Sequence, residues 1–77
     1  MKNVRIIISG KVQGVLFRQS ARDRAHRLGL EASAENCEDG SVCILAQGED
    51  EAVDQFISWC KQGPPAATVR DVTVVQM

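Results

Sequence analysis

Tyrosine is absent from the chain, and two phenylalanines and one tryptophan are its only aromatic side chains. So few flat rings give nucleotide bases little to stack on, which argues against a reader of single-stranded nucleic acid. Histidine occurs once, as His26, and reads as a solvated helix residue rather than part of a catalytic or metal constellation. The three cysteines, Cys37, Cys43 and Cys60, are odd in number and nowhere spaced as CxxC, so neither a disulfide framework nor a zinc site is supported. None has an arginine six residues further on, the spacing expected of a phosphatase with a cysteine nucleophile. Three reduced thiols in a cytoplasmic protein are the plain reading. The start of the chain offers only Ile6, Ile7 and Ile8 as an apolar run, too short for a signal-peptide core or a membrane span, so no membrane partner is expected.

What is present suits one small folded domain over residues 1–77. At 77 residues the core must be thin. Hydrophobic residues make up 44% of the sequence, enough for a folded rather than a disordered chain. The net charge of −1 conceals an asymmetry: residues 1–30 carry +6 and residues 31–77 carry −7. That imbalance either marks an anion-attracting face or is cancelled by pairing across the fold.

Val4 to Ser9 reads as a strand stopped by Gly10. Phe17, Ala21, Ala25 and Leu28 recur at helical spacing, and Gly29 supplies the stop. Glu31 to Cys37 is weakly marked. Val42, Ile44 and Ala46 alternate with Cys43, Leu45 and Gln47, and Asp39-Gly40 signals the turn before them. Glu49, Asp50 and Glu51 open a second helix with the charge its dipole favours, and Val53, Phe56, Ile57 and Cys60 form its apolar face. Gly63, Pro64 and Pro65 end it. Thr68 to Gln76 reads as the last strand, with a parity break between Val69 and Val72 that predicts an irregularity. The order β-α-β-β-α-β is that of a ferredoxin-like α+β sandwich, with both helices on one face of an antiparallel sheet. Many functions share this topology, so function has to come from a site.

The site suggested by the residues lies between the first strand and the first helix. Gly10-Lys11-Val12-Gln13-Gly14 leads toward a helix starting near Phe17, which sets consecutive backbone N–H groups beside a helix N-terminus. Arg18, in the first helical turn, could fork onto two phosphate oxygens. No GK[ST] follows, so this is not a nucleotide-binding Walker loop. From spacing alone the segment is an anion cradle or simply a turn. Asn36, just before the Asp39-Gly40 turn, is on the same footing: an asparagine there often bonds only to local backbone.

The stretch GKVQGVLFR, Gly10 to Arg18, closely resembles the acylphosphatase signature, Gly-x-Val-Gln-Gly-Val-x-Phe-Arg. Leu28-Gly29-Leu30, Asn36, Asp39-Gly40-Ser41-Val42, Gly48 and GPPAATVRDV ending at Val72 resemble the family's remaining landmarks in order. The resemblance implies metal-independent hydrolysis of the carboxyl–phosphate bond of small acyl phosphates, without a cofactor, yielding carboxylate and inorganic phosphate. It implies that Arg18 binds the phosphate, that Asn36 positions the attacking water, and that the backbone of Lys11, Val12, Gln13, Gly14, Val15 and Leu16 completes the cradle. A carboxylate leaves without protonation, so such chemistry demands no general acid.

The chain departs from the family at Ala32, Ser33, Ala34 and Glu35, where an aromatic and a basic residue are usual. Strand alternation predicts that Glu35 turns to the sheet face opposite Asn36. The sequence also stops at Met77, short of the family's usual short C-terminal strand. An open sheet edge is therefore expected, with lower stability or weak dimerisation through it. These departures motivate the alternative of a catalytically weak module that binds anions or a protein. A ferredoxin-like metal chaperone would want paired cysteines in the first loop, and Lys11 to Phe17 contains none.

Overall fold

In the computed structural model, which describes residues 1–77, the elements run β1 (Lys2–Lys11), α1 (Phe17–Arg27), β2 (Glu31–Asn36), β3 (Val42–Gly48), α2 (Asp50–Gln62) and β4 (Thr68–Gln76). They form one four-stranded sheet in the order β2-β3-β1-β4, with every neighbouring pair antiparallel. The expected α+β architecture is the one observed.

Alternation explains which face is covered. Val4, Ile6 and Ile8 of β1 and Val42, Ile44 and Ala46 of β3 are buried, and they meet Phe17, Ala21 and Ala25 of α1 and Val53, Phe56 and Cys60 of α2 in one core. Each large side chain hidden here contributes about 1.5–3 kcal/mol relative to exposure. β2 was weakly marked for a physical reason: its inward residues are only Ala32 and Ala34, and α1 is the helix that packs on it. Small side chains on both sides let helix and strand approach without a long apolar run to announce the strand.

The irregularity predicted between Val69 and Val72 lies where β1 meets β4. Ser9 pairs with Asp71 but Gly10 pairs with Val69, so Arg70 is the extra residue of a bulge. Gly10 is required there. It has φ 128°, and a Cβ on it would come within 2.2 Å of the Thr68 carbonyl oxygen. The bulge bends the end of β1 and so aims the following loop.

Candidate active site

The loop leaving β1 turns twice through left-handed backbone, at Gly14 (φ 74°) and at Leu16 (φ 62°). Left-handed residues interleaved with right-handed ones swing successive N–H groups toward one side and create an anion-binding concavity. Lys11 remains in β1, paired with Thr68, and Val12 turns its side chain into the core. Beyond them, no N–H from Gln13 to Gln19 donates to a backbone carbonyl or a side chain; the first loop-to-helix bond is Ser20 N–H to the Leu16 carbonyl. The free donors therefore extend past Leu16 through the first turn of α1.

Nothing in the chain caps that helix end. Leu16 is the N-cap and offers no side-chain acceptor, and the first turn holds no acidic residue. By contrast, α2 begins with Asp50 and Glu51. The positive end of the α1 dipole is thus left for an anion supplied from outside. Arg18 is exposed and makes no salt bridge. The adjoining cavity, about 260 Å³, is lined by Val12, Gly14, Leu16, Phe17, Arg18, Gln19 and Arg22, which include two arginines and no carboxylate. A wider groove of about 690 Å³ lies elsewhere, between the two helices at Arg24, Arg27, Trp59 and Pro64, and it includes no such run of free donors.

Asn36 ends β2, opposite Val42. Its parity is that of the buried Ala34, which puts it on the helix side of the sheet, whereas Glu35 stands opposite Cys43 on the uncovered face. The acid at position 35 therefore sits across the sheet from Asn36, as alternation predicted. The side chain of Gln13 joins loop to strand: its Nε2 donates to the Cys37 carbonyl at 2.8 Å and to the Ser41 carbonyl at 2.9 Å. One residue beyond Asn36, the hairpin is thus fastened to the middle of the loop. Sequence reasoning placed Gln13 in the loop but missed this tether, because its acceptors are 24 and 28 residues away. It also missed the left-handed leucine, which no glycine marks. His26 is exposed on α1, as expected.

A family model described as Acylphosphatase matches residues 4–77. The chain belongs to the acylphosphatase family. The acylphosphatase of Rubrobacter xylanophilus is 49% identical over 73 residues, covering 95% of this chain and 66% of its own length. That of Methylococcus capsulatus is 43% identical over 77 residues, covering 100% of this chain and 84% of its own. The crystal structure of acylphosphatase from Bacillus subtilis superposes with a TM-score of 0.96 at 38% identity, covering 100% of this chain and 86% of that one. Like other acylphosphatases, the chain is a hydrolase acting on acyl phosphates.

Proposed function

We propose that Arg18 and the loop from Lys11 to Leu16 hold the phosphoryl group of a small acyl phosphate while Asn36 aligns the attacking water, without a metal ion or cofactor. The observation that carries this reading is the uncapped run of free N–H donors from Gln13 to Gln19, tethered through Gln13 to the hairpin turn that follows Asn36. The N–H groups and the Arg18 guanidinium take the equatorial phosphoryl oxygens, where charge is spread in the transition state. The Asn36 side-chain carbonyl accepts a proton of the water and points its lone pair at phosphorus. A new bond forms from water oxygen to phosphorus as the bond to the acyl oxygen breaks, and the electron pair leaves with the carboxylate. No His, Asp or Glu lines the cavity to act as a base, so the proton passes to a phosphoryl oxygen. A leaving carboxylate needs no acid. The protein acts in a reducing, cytoplasmic setting, as a monomer or weak dimer, with neither nucleic acid nor membrane as a partner.

The test is hydrolysis of benzoyl phosphate by the intact chain, Arg18→Ala and Asn36→Ala, each in excess chelator and each checked for folding by circular dichroism. The intact chain should turn over in chelator, and each folded variant should lose about 10²–10³-fold in kcat/KM. A loss of all turnover on chelation, or variants that retain full activity, would overturn the scheme.

A further inference from the structure

Cys37 and Cys43 meet across the hairpin next to the site. In the β2–β3 register Glu35 faces Cys43 and Asn36 faces Val42, while the Cys37 N–H bonds to the Ser41 carbonyl at 2.8 Å. The two cysteines therefore occupy diagonal positions on one face of the hairpin, the face that no helix covers, and both are half-buried rather than sealed. Their thiols are near enough to interact: the Cys43 thiol is pushed up by burial and then by Cys37 beside it. The third cysteine takes no part, because Cys60 is shut in the core between α2 and the sheet, with its thiol pushed up to about 12 by burial.

We infer that Cys37 and Cys43 form a thiol–disulfide exchange site for small-molecule disulfides, and that closing it displaces Asn36 from its working position. The second half rests on the role of Asn36 given under Proposed function. Diagonal partners on a sheet have Cα atoms about 7–8 Å apart, and a disulfide spans at most about 6.8 Å. Closure therefore needs the hairpin end to shift by roughly 1 Å. The contacts in the path of that shift are the Cys37–Ser41 backbone bond and the two Gln13 bonds to the Cys37 and Ser41 carbonyls. Asn36 is covalently next to Cys37. A movement of this size in a positioning group can cost about a hundredfold in rate.

The chemistry balances with a disulfide RSSR as oxidant. Burial pushes the Cys43 thiol up and disfavours it as the first nucleophile; Cys37 therefore attacks first as its thiolate, forming a Cys37–SR mixed disulfide and releasing RS⁻, which takes up the proton Cys37 gave to solvent. Cys43, giving its proton to solvent, then displaces the second RS⁻ to close the bridge. Two protein thiols and one RSSR become one protein disulfide and two RSH. A bridge that strains its hairpin is easily reduced, so it reopens when the small-thiol pool recovers.

The whole chain is incubated with oxidised glutathione at graded ratios to reduced glutathione. Peptide mapping by mass spectrometry reads the bridge, and benzoyl phosphate hydrolysis is followed in parallel. A Cys37–Cys43 bridge should appear together with a roughly tenfold to hundredfold loss of turnover, reversed by reductant. Cys43→Ser should stop at a glutathione adduct on Cys37, and Cys37→Ser should give no bridge. Absence of the bridge at every ratio, or a bridge in which Cys60 takes part, overturns the exchange site. A bridged protein with full activity overturns the displacement, provided Asn36→Ala is inactive. If Asn36→Ala is itself fully active, the fault lies with the role of Asn36, while mapping still decides the exchange site.

Discussion

Leu16 holds a left-handed backbone, φ 62°, with its side chain 71% exposed. Left-handed geometry costs an L-residue roughly 1–2 kcal/mol, and this side chain recovers little of that by burial. Leu16→Gly removes the strain, and the extra freedom of glycine in the unfolded chain offsets only part of the gain. The variant should be more stable by about 0.5–1 kcal/mol in denaturant unfolding yet slower on benzoyl phosphate, because a looser residue no longer fixes the N–H groups that follow it. A variant that is both more stable and fully active would mean that the strain does not shape the cradle. Leu16 also marks the limit of sequence reading. Gly14 announces a turn, whereas the second left-handed residue is an ordinary leucine whose geometry is imposed by the chain on both sides of it. The motif and its resemblance single out Arg18 and Asn36 as candidates; the free donors at Phe17, Arg18 and Gln19 follow from helix-end geometry once the helix start is known.

The β2–β3 hairpin is the element on which the site leans. Its turn is held by the Asp39 carboxylate, which accepts from Ser41 Oγ at 2.6 Å and from the Ser41 N–H at 3.0 Å. The hydroxyl bond first, and the backbone bond second, hold the Asp39 carboxyl below its ordinary 3.8. A carboxylate with a lowered folded value binds protons less readily than in the unfolded chain. Its contribution is therefore complete above about pH 4 and is lost as pH falls through the lowered value. The Ser41 carbonyl also receives Gln13, so the turn and the tether should loosen together in acid. In an NMR titration the Asp39 carboxyl carbon should have its midpoint below 3.8, with the Ser41 amide and Gln13 side-chain amide moving at the same pH. A midpoint at or above that value would remove the hydrogen bonds from the account. Among the elements, β3 and both helices were legible because their apolar residues keep a strict period, β1 through its run of β-branched residues, and β4 through its valines, whose break in parity marked the bulge. β2 was faint because alanines suffice under α1, and the Gln13 tether was invisible because it joins distant parts of the chain.

Across the whole molecule, the charge asymmetry of the sequence survives folding. Only three ion pairs form: the Met1 amino group with Asp50, Lys2 with Asp54, and Arg70 with Asp71. None of the α1 arginines, Arg18, Arg22, Arg24 and Arg27, meets a carboxylate, although Arg24 lies over the Trp59 ring at 5.9 Å. The idea that the two halves neutralise each other residue by residue therefore fails at this helix, and its unpaired cations stand on the element whose N-terminus is the proposed phosphate site. A dianionic acyl phosphate approaching that end is attracted over a distance set by the Debye length, about 10 Å at 0.1 M salt and about 3 Å at 1 M. Raising salt across that range should lower kcat/KM several-fold, chiefly through KM, because the bound phosphoryl group is already in contact with its donors. Replacing Arg24 and Arg27, which lie outside the cradle, by glutamine should flatten the salt profile while kcat stays near its original value. A profile already flat in the unaltered protein would mean that the acidic remainder of the molecule cancels the field at the cradle, leaving Arg18 and the backbone to capture substrate by contact alone.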